Sequence, residues 1–201
     1  DAFLENNDKA KIYIHEKAFE NYYSMGVNNE FKYIGINKDL KQEEQIVLTK
    51  DYLEIDEGIE QFAGVTGREL FSQANSSIFM EANGIRKEDI FEHEQNLILT
   101  EEGKTLLLAG CAHNGIVNIV NKFKEIKGFE PNYVIGGFHL YNPNTKKSEN
   151  EDLISEIAKY LLKTKSLYYT GHCTGLEAYN RLKELMGDRI EYLSTGSVLE
   201  I

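Results

Sequence analysis

The sequence predicts an α/β fold, a sheet with helices packed against it, on three observations. First, three segments share one pattern of buried strand, glycine corner and histidine: residues 104–118 (KTLLLAGCAHNGIVN), 132–140 (NYVIGGFHL) and 166–175 (SLYYTGHCTG). Second, residues following these strands carry apolar side chains at helical spacing. Third, short alternating runs separated by glycine-containing turns read as hairpins. A chain of 201 residues with 41% hydrophobic content is enough for one domain, residues 1–201, burying roughly 70% of its unfolded surface.

Taken in order, DAFLENN reads as the last turns of an amphipathic helix, and residues 11–15 (KIYIH) alternate as a half-buried strand. A short helix through Ala18, Phe19, Tyr22 and Tyr23 is expected next, then extended pieces near 31–34 and 45–48. Residues 51–55 and 58–63 form a hairpin around Asp56, Glu57 and Gly58. Residues 64–91 lack sustained periodicity, and loops that long are usually functional, so they form a candidate rim or lid. Residues 94–100 and 104–109 pair across the turn Glu101, Glu102, Gly103. The helix from Asn114 presents Ile116, Val117, Ile119, Val120, Phe123 and Ile126 to the sheet, and Lys127, Gly128 and Pro131 end it. Ser148 and Glu151 suit a capping box for a helix over 149–163. Thr174 caps a last helix bearing Leu176, Tyr179, Leu182 and Leu185, and two short strands, 189–193 and 197–201, close the chain.

Charge narrows the partners. With 33 acidic against 22 basic residues the net charge is −11, which argues against a broad nucleic-acid or anionic-membrane surface. An apolar run of about 20 residues, as a membrane-spanning helix needs, does not occur. Two cysteines, Cys111 and Cys173, make no disulfide framework, so a cytoplasmic, reducing setting is expected.

A strand tip holds a ligand well, because the rigid strand fixes the backbone while the loop lets the side chain face a cleft. Neighbouring strands lie about 4.8 Å apart, so three adjacent tips can bring His113, His139 and His172 to one point. The working expectation is a metal centre with His113 and His172 as ligands and His139 either ligating or facing substrate. Zinc, with three protein ligands and a water, is the usual catalytic arrangement and activates water near neutral pH. One histidine beside a glycine turn is more often structural than ligating; three in the same context shift the balance. Cys111 and Cys173 read most simply as small buried apolar residues, although thiols can also ligate. His15 reads as a strand-face histidine, and His93, between Glu92 and Glu94, as solvated or carboxylate-paired. Arg68 in the loop is a candidate for holding an anionic substrate group. The acidic run Glu54, Asp56, Glu57 and Glu60 is read as charged surface.

At GCAHNGIVNIV, IGGFHL and TGHCTG the chain resembles the C-terminal part of metallo-β-lactamase-fold hydrolases, in the branch labelled as resembling 7,8-dihydropterin-6-methyl-4-(β-D-ribofuranosyl)aminobenzene-5′-phosphate synthase. The run Glu94-Gln95-Asn96-Leu97 adds to the match. The resemblance implies an αβ/βα sandwich with one or two metal ions, usually zinc, at one edge. It places His113 and His172 at family metal positions, and His139 where many relatives carry a bridging aspartate. An H-x-H-x-D-H motif, which the family carries near an early strand, is absent from this sequence. The chain is therefore expected to be an N-terminally incomplete member lacking the first strands and first metal motif.

The function expected is metal-dependent hydrolysis of a small-molecule ester or phosphoester, reduced in this chain by the absent motif. A pterin-related phosphate synthase is the alternative within enzymes. The alternative outside them is a non-catalytic remnant that self-associates as a homo-oligomer through uncovered strand edges.

Overall fold

A computed structural model of the chain describes residues 2–200, which form a mixed α/β unit. Helix α1 spans Ala2–Asn6, within the segment expected to be helical; Asp1 lies outside the described residues. Strand β1 (Ile12–His15) leads into a 3-10 turn, Glu16–Phe19. The helix expected through Tyr22 and Tyr23 is not there: both belong to β2 (Asn21–Met25). Tyrosine suits a half-buried strand, and the ladder that β2 makes with its neighbours outweighs the local helical spacing. Strands β3 (Phe31–Tyr33) and β4 (Ile46–Thr49) follow, β4 parallel to β1 with His15 opposite Thr49. Within β1 it is His15 that is buried, not the isoleucines. Strands β5 (Tyr52–Asp56) and β6 (Ile59–Phe62) form the expected hairpin.

Residues 64–91 depart furthest from expectation. They hold a 3-10 turn, Gln73–Ser77, and a hairpin of β7 (Ile78–Ala82) and β8 (Ile85–Glu88). Asn83 and Gly84 take φ of 53° and 73°, the double positive-φ turn that suits the right-handed twist of paired strands. The hairpin adds to β2, giving a four-stranded sheet in the order β3-β2-β7-β8.

Strands β9 (Asn96–Glu101) and β10 (Lys104–Ala109) pair antiparallel as expected. Helix α2 (Ile116–Lys127) stops at Gly128, whose φ of 78° is the left-handed cap that glycine accepts cheaply. Then come β11 (Tyr133–Gly136), a short ribbon of β12 (Tyr141–Asn142) and β13 (Lys147–Ser148), and α3 (Glu151–Lys163). Strand β14 (Leu167–Thr170), α4 (Leu176–Met186) and β15 (Ile190–Tyr192) complete the chain. Two caps differ from the sequence reading. Asn150, not Ser148, caps α3 by accepting from Leu153 N (2.8 Å): Ser148 is paired with Tyr141 in β13, Glu149 accepts from Ser72 and Ala74, and the helix begins only at Glu151. Helix α4 starts at Gly175 without a side-chain cap; Thr174 is buried and bonded elsewhere. Residues 197–200 form no strand, and Ile201 lies outside the described residues.

Seven strands make the main sheet, in the order β15-β14-β11-β10-β9-β6-β5. Strands β10, β11, β14 and β15 run parallel to one another, while β9, β6 and β5 alternate antiparallel. One face carries the core: Ile98, Leu107, Val134 and Tyr168 from the strands meet Ile119, Phe123, Leu161 and Leu182 from the helices, all at most 1% exposed. Each such side chain removes enough apolar surface to contribute roughly 1.5–3 kcal/mol. That packing fixes the sheet whose edge carries the histidines.

Candidate metal centre

Strands β10, β11 and β14 are parallel neighbours, so their C-terminal ends emerge side by side at one edge, where open α/β sheets present ligand sites. The corners are tied together. Gly137 N donates to Gly110 O (2.8 Å) and Phe138 N to Thr174 Oγ1 (2.9 Å), and the Thr170 and Thr174 hydroxyls bond at 2.6 Å. Each corner also holds one non-glycine residue in the left-handed region: Ala112 (φ 54°), His139 (46°) and His172 (50°). Such residues cost about 1–3 kcal/mol each and gather at functional sites. Two of the preceding glycines, Gly136 and Gly171, serve close strand packing. A Cβ on Gly136 would come 2.7 Å from Ala109 O, and one on Gly171 2.6 Å from Leu193 O.

His113 is held from three sides. Its ring stacks on Phe91 at 4.8 Å, and its Nδ1 lies 2.9 Å from Asn75 Oδ1. Asn75 Nδ2 in turn donates to His113 O (2.8 Å), so the amide brackets the residue and orients as an acceptor toward the ring. With Nδ1 donating, Nε2 keeps its lone pair for an ion, as in histidines oriented by an outer partner. The backbone is anchored by Glu94, which accepts from His113 N (2.5 Å), Asn114 N (2.8 Å) and Asn114 Nδ2 (2.9 Å). Burial raises the Glu94 carboxyl despite the opposing pull of His113 and these donors.

His139 sits 4.1 Å from His113, ring centre to ring centre, and is 7% exposed. Among the described residues neither of its ring nitrogens has a hydrogen-bond partner of good geometry, although the Ala74 carbonyl faces the ring and accepts from Asn142 Nδ2 at 3.3 Å. Burial first, then His113, pushes His139 down to about 4, so the ring is neutral at pH 7. A buried imidazole with both nitrogens unmet is costly, and neutral imidazoles with free lone pairs are the donor set a divalent ion takes. The residues fit a metal.

His172 groups differently. Its ring nitrogen and the sulfurs of Cys111 and Cys173 lie within 4.8 Å of one another, an arrangement that could hold a metal ion. Cys173 Sγ donates to Cys111 O (3.5 Å). The Cys173 side chain, and after it the His113 ring, hold the Cys111 thiol well below its usual range, whereas its pairing with Cys111 and burial push Cys173 up. Cys111 therefore links the two halves of the edge. By sequence alone both cysteines read most simply as packing residues that can also ligate, and the signal for ligation is that Cys173 directly follows His172 and Cys111 stands two residues before His113.

The remaining candidates lie outside this cluster. His15 is buried at the end of β1, where its Nδ1 accepts from Lys17 N (3.2 Å). His93 is neither solvated nor carboxylate-paired: it packs on Tyr22 at 4.2 Å, and burial pushes it down to about 4. Arg68 donates to the carbonyls of Gly67 (2.6 Å) and Ile90 (2.8 Å) and to Asn114 Oδ1 (3.2 Å), clamping the loop before α2. The 64–91 segment thus supplies Asn75, Phe91 and Arg68 as supports. Asn75→Ala is expected to weaken metal affinity by about 10- to 100-fold, the usual effect of losing an outer partner, as read by competition with a chromogenic chelator; unchanged affinity would show that the bracket does not orient His113.

Comparison with known proteins gives a consistent placement. The chain is 30% identical over 206 residues to the 7,8-dihydropterin-6-methyl-4-(beta-D-ribofuranosyl)-aminobenzene-5′-phosphate synthase of Methanocaldococcus jannaschii, covering 98% of this chain and 68% of that protein. An uncharacterized protein of the same organism is 25% identical over 223 residues, covering 99% of this chain and 72% of its own length. Among solved structures, a metal-dependent hydrolase of the beta-lactamase superfamily superposes with a TM-score of 0.78 at 25% identity, over 95% of this chain and 71% of that one. No family model matches the chain. On the fold, the curated relative and the edge of parallel strands that carries its histidines, the chain belongs to the metallo-β-lactamase superfamily, in the branch of the dihydropterin-methyl-ribofuranosyl-aminobenzene phosphate synthase.

Proposed function

We propose that this chain is a metal-dependent hydrolase acting on an ester or phosphoester of a small molecule, with His113 and His139 as imidazole ligands for zinc and His172 holding metal at the neighbouring corner. The observation that carries this reading is His139, a buried neutral ring with two unpartnered nitrogens beside an oriented His113. A bound zinc ion supplies Lewis acidity and a water of lowered pKa at such a site. The chain's own part is positional: Asn75 sets the His113 tautomer, Glu94 pins the loop beneath it, and Phe91 fixes the ring plane. A cleft lined by Gly136, Gly137, Thr170, Gly171 and His172 leaves room for a small substrate beside the corner.

Metal analysis and hydrolysis of bis(p-nitrophenyl) phosphate and p-nitrophenyl acetate by the zinc-loaded chain test the reading. Stoichiometric zinc and a turnover lowered at least about a hundredfold by His113→Ala or His139→Ala are expected. Absence of bound metal, or turnover indifferent to both substitutions, would overturn it. A second reading is favoured by the curated relative: the same centre would serve synthesis of the phosphorylated product for which that relative is named. Detection of that product by mass spectrometry, with the generic esters untouched, would select it.

A further inference from the structure

We propose that Cys111, His172 and Cys173 form a sulfur-ligated metal position, selective for a thiophilic divalent ion of the zinc and cadmium class, beside the imidazole pair His113 and His139. The inference rests on the metal-binding reading of this edge and adds which atoms hold the ion. Their three ligand atoms lie within 4.8 Å of one another, and they come from two different strand ends, 62 residues apart for the two cysteines. Around a tetrahedral ion with zinc–sulfur bonds of about 2.3 Å and zinc–nitrogen bonds of about 2.0 Å, ligand atoms sit roughly 3.5–3.8 Å apart. A small inward movement of side chains brings the group to that spacing.

Packing alone accounts poorly for this pair. Both cysteines are only half-buried, and His172 is exposed. Cys173 Sγ occupies a cradle over Gly137, where a Cβ would come within 2.4 Å of the sulfur. Ala112 and His172 adopt left-handed backbone next to Cys111 and Cys173, so both corners bend where the thiols meet. An apolar filler needs none of this. Two sulfurs and one imidazole favour zinc or cadmium over magnesium or calcium, which take oxygen ligands.

Cobalt titration of the reduced 201-residue chain separates this inference from the broader metal reading. Expected are ligand-field bands together with a near-ultraviolet sulfur-to-cobalt charge-transfer band. Cys111→Ser and Cys173→Ser should each remove about half of that band if each sulfur supplies one bond, and the double variant all of it. His113→Ala should retain it. Zinc should also slow alkylation of the two thiols by iodoacetamide about tenfold or more in the parent chain, a readout that needs no variant to fold. Ligand-field bands without charge transfer would overturn the sulfur position while leaving the histidine reading intact. Charge transfer that survives in the double serine variant would also overturn it, and no cobalt spectrum at all would remove both.

Discussion

Glu94→Ala is expected to destabilise the chain by about 3 kcal/mol or more and to weaken metal uptake at the His113 and His139 pair. The Glu94 carboxylate is the acceptor for three donors, the backbone N–H groups of His113 and Asn114 and the Asn114 side-chain amide. Removing it leaves these groups unmet in a water-poor loop, at about 1–3 kcal/mol each, less whatever a solvent molecule recovers. For a domain of this size that corresponds to a fall in melting temperature of roughly 6–12 °C. Glu94→Gln keeps one carbonyl oxygen but turns an NH2 toward donors, so an intermediate loss of about 1–2 kcal/mol is expected. Metal uptake should fall with stability, because Glu94 anchors the backbone from which the His113 ring projects. A Glu94→Ala chain melting within about 2 °C of the parent would show that water replaces the carboxylate, and the anchoring role would be withdrawn.

The three corners were legible because a buried apolar run ending in glycine has few alternatives to a strand leaving a sheet. Their adjacency was not in the pattern itself; it follows from the parallel register of β10, β11 and β14. Where the local pattern misleads, long-range pairing overrides it or the flanking residues mask a turn signal. Tyr22 and Tyr23 look helical from spacing alone, and the ladders to β7 and β3 make them strand. Asn83-Gly84, by contrast, is a strong hairpin signal; without clean alternation in Ile78–Ala82 the segment read as a lid. Thr174 could have capped a helix by type, but it instead accepts from Phe138 N and so joins two corners. Asn75 lies 38 residues from His113, and no spacing rule connects a loop amide to a distant ring. Cys111 and Cys173 show the same limit: the chemistry of each was readable, and their convergence was a property of the folded sheet.

Gly137→Ala should separate packing at this edge from the general effect of removing a glycine. Its Cβ would stand 2.4 Å from Cys173 Sγ and 3.5 Å from the Cys111 backbone. Cysteine has one rotatable bond to its sulfur, so Cys173 must swing out of the cradle or the corner must open. Overpacking of this kind costs about 1–3 kcal/mol. Neither Gly137 nor Gly110 has a positive φ, so backbone strain does not enter, and Gly110 has open space where its Cβ would be. Gly110→Ala is therefore expected to stay within about 0.5 kcal/mol of the parent. The pair should diverge in chemistry as well: Gly137→Ala exposes the Cys173 thiol to alkylation and loses sulfur-to-cobalt charge transfer, while Gly110→Ala keeps both parental values. Equal effects of the two substitutions would mean that the edge relaxes freely around an added methyl group. A centre that relaxed so freely would not hold His172 and the two thiols at ligand spacing, whereas a difference confined to Gly137 ties the glycine directly to the placement of Cys173.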